Sequence, residues 1–340
     1  MSGKNKYTLA DLKQRQAYPL DVKIQLTIRR IYSWIKEYGV KGVYVAFSGG
    51  KDSTVLLDIV RKEFPEVLAV FVDTGLEYPE VRAFAKSFPN VEVIKPKMNF
   101  RQVIEKYGYP MISKEVSECI YECRESKNKT SLYRYEQLMG LGKFANGNRY
   151  AKTRWQFLMN APFKISHRCC GVMKKGVSHK YNKDSGRHPI TGQMAEESIL
   201  RTSQWVRNGC NGFDMKEPIS NPMAFWTEQD VLRYIKINNL PIASVYGDIV
   251  VDGDERQMDI CDLGVCEDTR KLRTTGCQRT GCMFCGFGCH LDKGEGRFER
   301  MKRTHPKQYE YIMRPWEKGG LGYKEVIDWI NENGKTNIKY

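Results

Sequence analysis

Two segments combine residue types and spacing that could do chemistry: SGGKDS, Ser48 to Ser53, and a run of four cysteines from Cys277 to Cys289. In the first, Gly49 and Gly50 let backbone N–H groups approach an anion with no Cβ in the way. A helix opening at Asp52 adds unpaired N–H donors and the positive end of its dipole. Ser48, Ser53 and Thr54 offer hydroxyls, Lys51 a full positive charge, and Asp52 a carboxylate that can hold Mg²⁺ or orient the loop. The segment is neither a GxxxxGK[ST] loop nor a GxGxxG turn. A glycine-rich structural turn is the plainer reading. A predicted strand before the loop and a predicted helix after it argue instead for a phosphate cradle.

The cysteines follow C-x4-C-x2-C-x3-C through Cys277, Cys282, Cys285 and Cys289, with Gly276, Gly281, Gly286 and Gly288 supplying turns. Such density in a chain with no secretory signal points to a metal or a cluster rather than to disulfides. Structural zinc is the alternative, although the spacing is tighter than paired CxxC knuckles show. Cys169 and Cys170 are adjacent, awkward for a disulfide but suited to two irons of one cubane. Cys119, Cys123, Cys210, Cys261 and Cys266 read as ordinary thiols, the last two within an acidic loop. His167 and His290 lie beside candidate ligands and can hydrogen-bond a bound group.

The elements that must position these residues follow from hydrophobic pattern. Residues 19–38 show mostly helical spacing and end at Gly39. Gly42–Phe47 and Val67–Val72 are apolar, β-rich runs that fit buried parallel strands. Val91–Ile94 is a shorter third strand, and helices are expected over Asp52–Glu63, Pro79–Ser87 and Asn99–Tyr107. This alternation predicts an α/β fold with a doubly wound, mostly parallel sheet. Arg187–Gly192 reads as a further strand and its exit turn, and Thr227 with Asp230 forms a capping box for a helix to about Ile237. The expected organisation is a lead-in over 1–18, a nucleotide-binding domain over 19–250 with a basic helical insert at about 110–165, and a cysteine-rich helical region over 251–340.

Charge narrows the partners. The chain holds 55 Lys+Arg against 40 Asp+Glu, a formal +15, so anionic ligands are expected: nucleotides, nucleic acid or both. From Glu122 to Arg154, eight cations face three acids and are interleaved with Tyr133, Tyr135, Phe144 and Tyr150. That pattern reads either as a solvated helical face or as a polynucleotide surface. Residues 248–268 carry eight acids and one Arg and are expected as an exposed loop, and the tail reads as two short helices broken near Arg314–Gly322. No apolar run approaches the roughly 18 residues of a membrane span, and the first residues lack a signal core, so the expectation is a cytoplasmic protein without membrane contact. Oligomeric state is not legible.

SGGKDS resembles the loop of the ATP pyrophosphatases, the adenine nucleotide α-hydrolase superfamily. More narrowly, FVDTGLEYPEVRAF (Phe71–Phe84), HRCCGVMKK (His167–Lys175), ITGQMAEESILR (Ile190–Arg201) and RTGCMFCGFG (Arg279–Gly288) resemble motifs of the phosphoadenosine phosphosulfate reductase family, the last its iron–sulfur branch. The resemblance spans roughly residues 20–315. It implies nucleotide contacts from Asp73, Thr74, Gly75 and Gly192, with Arg201 stabilising charge on a developing pyrophosphate. A helix cap for Asp73 and a surface ion pair for Arg201 are the plainer readings. It also implies one [4Fe–4S] cluster on Cys169, Cys170, Cys282 and Cys285, with Cys277 and Cys289 as alternates.

Three functions compete. The first cleaves ATP, with Mg²⁺, to AMP and pyrophosphate to activate an acceptor for sulfur transfer. Its acceptor could be tRNA, DNA or a metabolite, and its sulfur could come from a donor such as a cysteine desulfurase. The second is a sulfonucleotide reductase. Against it, reductases of the family resemble one another in a loop without the Lys-Asp pair and in a nucleophilic cysteine near the chain end, whereas no cysteine follows Cys289. The third is a non-catalytic nucleic-acid-binding or regulatory protein with a structural metal. The intact Ser48–Ser53 loop favours the first.

Overall fold

The computed structural model describes residues 5–125, 130–253 and 270–340. Most of the expected acidic loop, with Cys261 and Cys266, lies outside the described residues. Ten strands occur among the described residues: β1 (Val43–Ala46), β2 (Ala69–Val72), β3 (Val91–Ile94), β4 (Met111–Ile112), β5 (His188–Ile190), β6 (Asn211–Gly212), β7 (Ile219–Ser220), β8 (Ile249–Val251), β9 (Leu272–Thr274) and β10 (Gly286–Phe287). The chain divides into two interleaved units. The first comprises Met1–Asp73, Glu77–Lys95 and Ser178–Thr280; the second comprises Thr74–Leu76, Pro96–Val177 and Gly281–Tyr340.

The first unit is a six-stranded sheet in the order β3-β2-β1-β5-β7-β6. All neighbours are parallel except β6, which pairs antiparallel with β7. From β1 the chain winds outward through β2 and β3, then returns to lay β5 on the other side of β1. The sheet is therefore doubly wound, and its reversal lies between β1 and β5, where ligand crevices open at the carboxyl ends of the strands. Val43, Val45, Phe71 and Ile190 are buried, as strands covered on both faces require. The helix Lys51–Glu63 buries Val55, Leu56, Leu57, Ile59 and Val60. At roughly 1.5–3 kcal/mol for each large apolar side chain, this helix is anchored by its burial.

Polar anchors sit inside the same unit. Asp230 caps its helix by accepting from the Thr227 N–H, the box expected from sequence. Its carboxylate also receives Lys23 Nζ at 2.6 Å, and both side chains are nearly fully buried. Asp73, at the end of β2, is buried beneath Arg82 and Lys86 of the helix Pro79–Ser87, with contacts of 2.7 and 2.6 Å.

The second unit is mainly helical. Its helices are Phe100–Tyr107, Lys114–Arg124, Thr130–Met139, Arg297–Thr304, Pro306–Met313 and Tyr323–Gly334. A short parallel pair, β4 with β10, ties Met111 to Gly286. Tyr323 is fully buried and its hydroxyl donates to the Phe284 carbonyl at 2.6 Å. No helix among the described residues is long and apolar enough to cross a membrane.

The Asp73 pairs make acid stability testable. Burial pushes this carboxyl up, but hydrogen bonds and charge from Arg82 and Lys86 overcome that and hold it below 3.8. A carboxyl lowered on folding contributes stability that is present above its unfolded value and lost as pH falls through its folded value. Thermal melts of Asp73→Asn should show a loss of about 1.5 kcal/mol or more near neutral pH. They should also show a flatter decline than wild type below about pH 4. Parallel acid limbs would dissociate Asp73 from acid stability.

Candidate functional site

The loop from Ser48 to Ser53 leaves β1 and enters the helix Lys51–Glu63, at the reversal point of the sheet. Gly49 has φ +72°, and a Cβ there would lie 2.8 Å from the Val81 carbonyl oxygen. Across the reversal, Gly192 follows β5, and a Cβ on it would press on the Asp52 carbonyl at 3.0 Å. Both glycines therefore let backbones approach where side chains would separate them.

The hydroxyls largely close the loop on itself. Ser53 Oγ and Thr54 Oγ1 donate to the Gly50 carbonyl at 2.9 and 3.0 Å. Ser48 Oγ accepts from the Gly50 N–H at 3.3 Å, and the Ser48 N–H donates to Ser53 Oγ at 3.2 Å. These bonds hold the turn in shape, leaving the helix N-terminus as the source of anion-binding N–H groups.

The cations around the loop are held by carboxylates. Lys51 is buried, and its Nζ lies 2.9 Å from both Glu228 Oε1 and the Gln278 carbonyl. Arg201 pairs with Glu197, and Arg279 stands 3.7 Å from the same carboxylate. Burial lowers the affinity of Arg201 for its proton, and neighbouring Arg279 adds to that; Asp52 opposes it. Burial raises the Asp52 carboxyl above its ordinary range, against the attraction of Lys51, Arg279 and Arg201. Ser198 caps the helix Ile199–Asn208 by accepting from the Arg201 N–H. Glu196 accepts from the Glu228 N–H at 2.6 Å, tying this segment to the helix Glu228–Ile237. Lys51, Asp52, Gly192 and Arg201 are thus brought together.

Four contributors were not visible in the sequence. Tyr246 Oη accepts from the Lys51 N–H at 3.4 Å and hydrogen-bonds Thr280 Oγ1 at 2.5 Å. The Tyr246 ring also lies 5.4 Å from Lys51 Nζ. With Gln278 and Arg279, these residues form a strap over the start of the helix. Nothing local marks them, although Arg279 belongs to a stretch rich in cations. Asp73 is occupied by Arg82 and Lys86, and the chain passes at Thr74 and Gly75 into the second unit, where Thr74 Oγ1 accepts from the Leu76 N–H at 3.1 Å.

Within the second unit, Cys169 and Cys170 lead into a π-helical turn, Gly171–Lys175. Burial pushes the Cys169 thiol far up, and the negative charges of Cys170, Cys282 and Cys285 push it further. Cys285 is pushed up to about 11, first by burial and in part by Cys282 and Cys170. The four thiols expected together are therefore electrostatic neighbours. Cys289 rises to about 12 through burial, while Cys277 belongs to the first unit. No disulfide joins the nine described cysteines. Among the described residues, no three Cys, His, Asp or Glu side chains stand at metal-coordinating spacing. The Nδ1 atoms of His167 and His290 are buried without a hydrogen-bond partner. The donor set is all thiol, with unpartnered imidazole nitrogens next to both cysteine motifs in the chain.

Residues 42–286 match the model of the phosphoadenosine phosphosulfate reductase domain. An uncharacterized protein of Methanocaldococcus jannaschii is 32% identical over 35% of this chain, which spans 29% of that relative's length. An adenosine 5'-phosphosulfate reductase of Oceanobacillus iheyensis is 25% identical over 74% of this chain and 85% of its own. A phosphoadenylyl-sulfate (PAPS) reductase structure from Candida auris, a phosphate complex, matches at 15% identity over 76% of this chain and 100% of that one, with a TM-score of 0.37, too low to argue from.

The carboxylates that hold Arg201 and Arg279 should compete with a bound anion. Glu197→Gln should tighten pyrophosphate binding about two- to fivefold in calorimetry, the range of a partly exposed ion pair. Unchanged or weaker binding would show that Glu197 does not restrain these cations.

Proposed function

The chain belongs to the phosphoadenosine phosphosulfate reductase family, and from this premise we propose that it is a nucleotide α-hydrolase that splits ATP into AMP and pyrophosphate to activate an acceptor for sulfur transfer. The observation that carries the reading is the Ser48–Ser53 cradle at the sheet reversal, with Lys51, Arg201 and Arg279 gathered around it. An acceptor oxygen attacks the α-phosphorus, the bond to the β-phosphate oxygen breaks, and pyrophosphate carries away the charge. The N–H groups at the helix N-terminus receive that charge. Lys51 exchanges Glu228 for a phosphate oxygen, and Arg201 and Arg279 exchange Glu197. Charges pre-positioned in this way stabilise the departing anion without reorganising solvent. Asp52 faces the Mg²⁺ that accompanies the substrate. Sulfur then displaces AMP from the activated acceptor.

A [4Fe–4S] cluster would be held by Cys169, Cys170, Cys282 and Cys285, and would bind the sulfur donor or tune its electrostatics. Zinc is the competing metal for the same thiols. The similarity to adenosine 5'-phosphosulfate reductases favours a second reading, reduction of a sulfonucleotide in the same cradle. Against the second reading stands the sequence, in which no cysteine follows Cys289 to serve as a nucleophile near the chain end.

The test is anaerobic purification, quantification of iron, sulfide and zinc, and incubation with labelled ATP. Lys51→Ala should lower AMP formation by about 100-fold or more while iron content is unchanged. Cys282→Ser should reduce bound iron and bleach the visible absorbance. Retained turnover in the first variant would remove the loop from the reaction, and retained iron in the second would move the ligand set elsewhere. Turnover of phosphoadenosine phosphosulfate without AMP formation from ATP would establish the reductase.

A further inference from the structure

The insert within the second unit carries a surface that the proposed reaction does not use. On the helix Thr130–Met139, Tyr133 is 41% exposed. Lys143 Nζ stands 4.1 Å from its ring centroid, and the buried Phe144 meets the same ring edge-on at 5.3 Å. One turn along the helix, the buried Gln137 clamps the returning chain. Its Nε2 donates to the Tyr150 carbonyl at 3.1 Å, and its own carbonyl accepts from the Lys152 N–H at 2.8 Å. The clamp therefore fixes the Tyr150 backbone against the helix one turn beyond Tyr133. Tyr150 is 52% exposed, with the Arg149 guanidinium 4.7 Å from its ring and donating to its hydroxyl at 2.6 Å.

The insert's other cations are mostly spent internally. Arg124 donates to the Ala161 and Phe163 carbonyls, Arg134 pairs with Glu118, and Lys152 pairs with Glu115. Glu136 lies against Gly142. Among the described residues from Glu122 to Arg154, Lys143, Arg149 and Arg154 are exposed, two of them beside the exposed rings. Paired rings and cations match a chain of alternating bases and phosphates, in which bases stack on aromatic faces and cations neutralise the backbone.

We propose that this surface binds single-stranded nucleic acid, with bases on Tyr133 and Tyr150 and phosphates on Lys143 and Arg149. Stacking requires unpaired bases, so single strands bind in preference to duplex. The surface acts independently of the nucleotide cradle.

Fluorescence anisotropy of labelled single-stranded DNA and RNA oligonucleotides on the full-length protein tests this, with a salt titration and with duplex and polyglutamate as competitors. Tyr133→Ala and Tyr150→Ala should each weaken binding about fivefold or more, and the Tyr→Phe variants should retain it. Lys143→Ala with Arg149→Ala should reduce the slope of log affinity against log salt by about 1.4. Lys51→Ala should bind as wild type, so failure of the proposed reaction and failure of this surface are told apart. No binding at low salt overturns the proposal. So do ring variants that bind as wild type, an unchanged salt slope, duplex that competes as well as single strands, or polyglutamate that competes as well as nucleic acid.

Discussion

The loop end of the first unit is organised around the buried Lys51 ammonium. Lys51 cannot stay charged out of water without partners, because desolvating an unpaired cation costs several kcal/mol. Glu228 and the Gln278 carbonyl meet that need, and they come from a helix start and a strap far along the chain. Holding the lysine thus holds together the phosphate loop, the helix Glu228–Ile237 and the strap that ends at Thr280. Tyr246 adds a second tie, accepting from the Lys51 N–H while its hydroxyl meets Thr280.

The same carboxylates balance the cations around the loop. Lys51, Arg201 and Arg279 converge near the start of one helix, whose dipole already disfavours positive charge. Glu228 and Glu197 offset that repulsion. Gly49 and Gly192 let the loop pack closely, since a Cβ at either would strike backbone.

In the second unit, burial and reactivity pull in opposite directions. Cys169, Cys285 and Cys289 are desolvated, which favours protonated, inert thiols. Thiols gathered close enough to raise one another's proton affinity are costly to ionise together unless a cation joins them. The π-helical turn after Cys170 is a geometry that helices tend to keep where it has a use.

Local physics made much of this molecule legible from the residues alone. The helix Pro79–Ser87 and the strand Val91–Ile94 lie where pattern places them, because apolar period and proline position act within one element. The Thr227–Asp230 box was visible because its partners are three residues apart. The doubly wound sheet followed from strand and helix alternation, and the loop from glycines beside Lys51. Pairings across the chain were not visible. Asp230 also holds Lys23, 207 residues away, and Asp73, expected as a nucleotide contact, is held by Arg82 and Lys86. Tyr246 and Gln278 carry no local mark, Arg279 and Thr280 were marked only as part of the cysteine motif, and only folding brings all four to the loop. Sequence determines what each short segment can form and which groups can do chemistry. The tertiary structure decides which charges meet, because burial makes a distant partner necessary and only the closed fold supplies it.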